Sequence, residues 1–90
     1  MDELLQRRVL LHGIRVGNVV DVILESPGGQ AMGLEIRCLD GRHRFLPMAA
    51  ASRVGDEVVV NSPFALLDSD ELEFYRRRGA PLRGRREPAA

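Results

Sequence analysis

The chain reads as mainly β: a small β-barrel of about five to six short strands followed by a C-terminal helix. Three observations predict this. The longest strand-like run, Gly13 to Glu25, is rich in β-branched residues with a period of two. Short apolar runs recur behind it, separated by Gly, Pro and Asp-Gly signals, which suits a barrel or sandwich rather than a parallel sheet. From Ser62 the pattern becomes that of a helix with acids at its start, arginines at its end and a glycine after it.

Residues 1–7 are expected to be a flexible start, 8–61 the β domain, 62–79 a helical segment packing on the barrel or a partner, and 80–90 a disordered tail with little to bury. Arg8 to His12 is a short first strand, and Gly13 permits a tight turn into the long strand. That strand is apolar on much of both faces. Val20, Val22 and Leu24 are expected to face the interior, and Val19 and Ile23 outward, under the C-terminal helix or at a subunit contact. Ser26-Pro27-Gly28-Gly29 is a turn. It does not read as a phosphate loop, because no helix follows it. Ala31 to Cys38 alternates, with Met32, Leu34, Ile36 and Cys38 on one face and Gly33, Glu35 and Arg37 on the other, as in a half-buried strand. Asp40-Gly41 predicts a type I′ hairpin into Arg42 to Pro47, and Pro47 ends that strand. Met48 to Ala51 suggests a helical turn, Arg53 to Asp56 another turn, and Glu57 to Asn61 a fifth strand. Ser62-Pro63 offers a cap with Pro at the first helical position. Leu67, Leu72, Phe74 and Tyr75 form an apolar arc on the helical segment.

Composition narrows the function classes. Ninety residues make one domain with one modest core. Thirteen basic and thirteen acidic residues cancel, so no global field steers the chain to nucleic acid or anionic lipid. Every basic residue is arginine, which GC-rich codon usage explains more simply than selection for phosphate forks. Cys38 is the single cysteine. With no internal disulfide possible and no secretory-type apolar start, a cytoplasmic location is expected. No apolar run approaches the roughly 20 residues of a membrane span.

The ordered segments resemble the PRC-barrel family. The resemblance rests on Val16, Gly17, Val19, Val20, Asp21 and Val22 as V-G-x-V-V-D-V, supported by Gly33 to Ile36, Phe45 to Pro47 and Gly55 to Val60. It covers about residues 8–61, and the stretch from Ser62 to Gly79 is similar to the tail of stand-alone actinobacterial members. It implies a compact barrel used as an adaptor or regulatory surface, without shared catalysis. The loop after the first strand is shorter than in many members, which leaves that strand's register open.

No catalytic constellation stands out. Asp21 reads as an outward carboxylate near a turn or an arginine rather than a perturbed acid. Cys38 is in phase with Met32, Leu34 and Ile36, as a small core side chain would be. His12, His43 and Cys38 lack the close spacing of metal ligands, and the serines sit at turns or caps. Neither a metal nor a cofactor is expected, and no small-molecule substrate is evident. The expected function is a non-enzymatic interaction module for a protein partner, which includes a second copy of itself as a homodimer. Its candidate surface is Val19, Ile23, Leu72, Phe74, Tyr75, Arg76, Arg77 and Arg78. The alternative, by analogy with a ribosome-maturation factor in the family, is an RNA- or ribosome-associated factor gripping through the arginine-rich C-terminal segment.

Overall fold

The computed structural model describes residues 2–82. Its strands are β1 (Arg8–Leu11), β2 (Ile14–Leu24), β3 (Ala31–Cys38), β4 (His43–Pro47), β5 (Ala51–Val54), β6 (Glu57–Val60) and β7 (Ala80–Pro81), and α1 spans Ser69–Arg78. One sheet runs in the order β4-β3-β2-β1-β6-β5, with β7 added to β2. Its edges, β4 and β5, are joined by a single 3-10 turn at Met48–Ala50. Three residues cannot cross a flat six-stranded sheet, where strands lie about 4.8 Å apart. The sheet is therefore curled into a half-barrel. Five of the pairings between neighbouring strands are antiparallel or tied by hairpin turns, but β1 and β6 run parallel, with Val9 opposite Val58 and Leu11 opposite Val60. Turn patterns do not report this long-range pairing.

The turns follow their sequences with one exception. His12 (φ 53) and Gly13 (φ 80) are both left-handed, as a type I′ hairpin needs. The Gly29 N–H donates to Ser26 O at 2.8 Å across Pro27 and Gly28 (φ 77), a type II turn. At the β3–β4 hairpin the I′ expectation is corrected. Gly41 is left-handed (φ 86) but Asp40 is not, and the Gly41 N–H reaches Cys38 O at 2.9 Å. This is a three-residue loop in which the glycine forms a bulge, and Asp40 Oδ1 accepts the Arg42 N–H at 2.9 Å.

The phase of β2 also departs from simple alternation. Val19 pairs with Ile36, but Asp21 pairs with Glu35, so Val20 is an extra, bulged residue. The bulge reverses the faces. Val19 before it and Val22 and Leu24 after it all enter the inner core with Leu34, Ile36, Leu46, Val58 and Val60. Val19 is thus neither under the helix nor at the surface, and Val20 is only half-buried. Ile23 does lie on the outer face, in a second cluster with Phe45 and Leu72.

Both ends of the described chain are built into this core. Leu4, placed by the sequence in a flexible start, is buried, and the Gln6 N–H donates to Val19 O at 2.7 Å. Ala80 to Leu82, placed in a disordered tail, pair with β2 instead. Ala80 is buried and the Leu82 N–H donates to Val22 O at 2.7 Å. The reason is geometric. β1 covers one edge of β2 only from Ile14 to Asn18, so the same edge beyond it is open to β7. The rest of the expected tail, residues 83–90, lies outside the described residues.

Candidate interaction surface

The helical segment reaches the outer face in two steps. Ser62 accepts the Phe64 N–H through its hydroxyl at 3.2 Å and caps a 3-10 turn at Pro63–Ala65. Leu67 then bridges the free edge of β4: Phe45 and Leu67 exchange N–H to carbonyl bonds of 2.9 and 2.8 Å. This sets α1 over β4. Leu72 packs against Ile23 and Phe45, and Tyr75 stacks on Phe45 with centroids 4.2 Å apart. Gly79 ends the helix at φ −106, outside the left-handed region. What demands a glycine there is close approach, since a Cβ would sit 2.4 Å from Leu24 O.

Under α1 lies a polar contact that the sequence pattern placed in solvent. Glu35, on the second face of β3, is buried. Its carboxylate lies 2.5 Å from His43 Nδ1 on β4 and accepts a bond from Arg76 on α1. One charge thus joins three elements. Its cross-strand neighbour Asp21 is also buried, accepting the Val22 N–H at 2.8 Å. Asp21 is therefore not an outward carboxylate as expected. Glu35 is buried because α1 covers a face that alternation alone leaves open.

The eight expected surface residues separate accordingly. Val19, Ile23 and Leu72 are buried, and Tyr75 and Arg76 are half-buried against Phe45 and Glu35. Phe74, Arg77 and Arg78 are exposed, with the Arg78 guanidinium 5.3 Å from the Phe74 ring centre. Among the described residues no cluster of three or more His, Cys, Asp and Glu side chains could hold a metal, and no helix is long and apolar enough to cross a membrane.

A different surface, which the sequence reading missed, opens at the end of the half-barrel near the β1–β2 and β3–β4 turns. A cleft of about 480 Å³ is lined by Ile14, Val16, Leu39, Pro63 and Leu66, with Arg15, Asp40 and Arg44 also in its wall. Ile14 is 68% exposed and Leu39 66%, and Phe64, next to Pro63, is 89% exposed. Asp40 is held by Arg44 through bonds of 3.1 and 3.3 Å. That guanidinium, and then the Arg42 N–H, hold its carboxyl below the usual carboxylate range. The available signal was an apolar residue beside each of two turns, Ile14 directly after His12-Gly13 and Leu39 directly before Asp40-Gly41, where solvated residues are ordinary.

A curled six-stranded sheet carries a helix across one face and apolar side chains at its open end. A family model, PRC-barrel domain, matches residues 2–67, and the chain belongs to the PRC-barrel family. Domains of this family are, in general, non-catalytic binding folds with protein-interaction and ribosome-associated roles. No curated protein matches the chain.

Proposed function

We propose that the chain is a non-catalytic adaptor that binds another protein. The observation that carries this is the gathering of the exposed Ile14, Leu39 and Pro63 beside the half-buried Leu66 at one cleft, Ile14 and Leu39 taking no part in the chain's own core. Large apolar side chains grouped at a surface are the usual mark of a contact site. Phe74, with Arg77 and Arg78, offers a second and smaller contact on α1. The RNA-associated alternative is less favoured, because Arg76, one of the three arginines ending the helix, is engaged within the fold by Glu35.

The test is affinity capture from the native cell extract, with and without nuclease, using the wild-type chain and an Ile14→Ser/Leu39→Ser variant. A protein retained after nuclease by the wild type and released by the variant is the expected result. Capture abolished by nuclease and untouched by the variant would favour the RNA reading. Light scattering over a wide concentration range tests whether the partner is a second copy.

A further inference from the structure

We propose that the open end of the half-barrel takes a peptide segment of a partner protein in which carboxylates stand beside apolar side chains. This rests on the adaptor reading and supplies the chemistry of its partner. The apolar cleft does not stand alone. A second, polar cleft of about 340 Å³ adjoins it, sharing Arg15, Cys38 and Leu39 and adding Gln6, Asn18 and Arg37. The groove so formed is apolar at one end and carries arginines at the other.

Among the described residues, the charge of Arg15 and Arg37 is uncompensated. Arg15 donates to Asn18 Oδ1 at 2.6 Å, a neutral acceptor, and among the described residues neither Arg15 nor Arg37 makes an ion pair. Asp40, the acid in the wall, is already held by Arg44. In a chain with no net charge this is a local feature, not part of a general basic surface. Two guanidinium groups without an ion pair among the described residues fit carboxylates, while Ile14 and Leu39 supply the apolar contact from which most binding energy comes. No aromatic side chain lines either cleft, so the stacking on which single-stranded RNA binding relies is missing. The site is also preformed: the Leu39 N–H donates to Val16 O at 3.1 Å, fixing the β3–β4 turn against β2.

Selection from a random peptide library displayed on phage, against the full chain, tests this. The enriched pool should combine Asp or Glu with Leu, Ile, Met or Phe. A peptide from that pool should lose about tenfold or more in affinity on Arg15→Glu/Arg37→Glu, and should weaken on Leu39→Ser. These side chains are exposed, and thermal melts of the variants confirm that the fold is intact. Repeating the selection on the charge-reversed variant should replace the acids with Lys or Arg. A pool without acidic bias, or binders indifferent to both variants, overturns the proposal. Binders lost on Phe74→Ala instead would overturn the groove and leave the adaptor reading standing. Dimerisation abolished by the same groove variants would assign the site to a second copy.

Discussion

At Asp40 and Gly79 single atoms decide the outcome. Asp40 is exposed, yet the Arg44 guanidinium and the Arg42 N–H hold its carboxyl low. A folded value below the unfolded one means that the contact is stabilising above the unfolded pKa and is lost as pH falls through the folded one. NMR titration should find the Asp40 midpoint below that of a free aspartate, and Arg44→Met should move it up. Gly79 is a second case. Its φ of −106 suits any residue, but a Cβ would meet Leu24 O at 2.4 Å and Met32 Cε at 2.5 Å. Because one obstacle is backbone, Gly79→Ala should cost roughly 1–3 kcal/mol in urea unfolding. An unchanged midpoint would show that β7 can move aside without loss.

Between elements, α1 is fastened to the sheet by Leu72 and Tyr75 on the apolar side and by Glu35 on the polar side. Glu35→Ala removes the acceptor shared by His43 and Arg76, both of which can turn to water, so a loss of roughly 1–3 kcal/mol is expected. Hydrogen exchange should localise it to residues 69–78, whereas Val22→Ala should loosen the whole sheet. Five of the strands, β1 to β4 and β6, were legible in the sequence because turn chemistry at Gly13, Pro27-Gly28 and Gly55 marks their ends within a residue or two; β5, whose residues Ala51–Val54 were divided between two expected turns, and β7, placed in the tail, were not. The strand faces were not legible either. A bulge at Val20 has no sequence signature in a run of valines, and its effect is to move Val19 into the core while leaving Ile23 outside. Glu35 was misplaced for a related reason: alternation says which residues share a face but not whether a later helix covers it. The open-end groove was missed because its members come from four separate segments, each ordinary by itself.

At the scale of the molecule, the ends of the described chain are structural parts. Leu4 fills the inner core and Ala80 lies against it. Ala80→Asp places an unpaired carboxylate in that core, and a loss of roughly 3 kcal/mol or more is expected by thermal unfolding. A variant as stable as the wild type would show that β7 is dispensable. The parallel pairing of β1 with β6 carries a further consequence, for the order in which the chain can fold. β1 meets β2 at once through a local hairpin, yet its other edge must wait for residues 57–60, nearly fifty positions away. During synthesis, a chain that has emerged only as far as β4 would present the bare Val9–Leu11 edge to any neighbouring strand. The protein is thus most exposed to misassembly before its sixth strand arrives, and fragments ending near residue 50 should associate rather than fold.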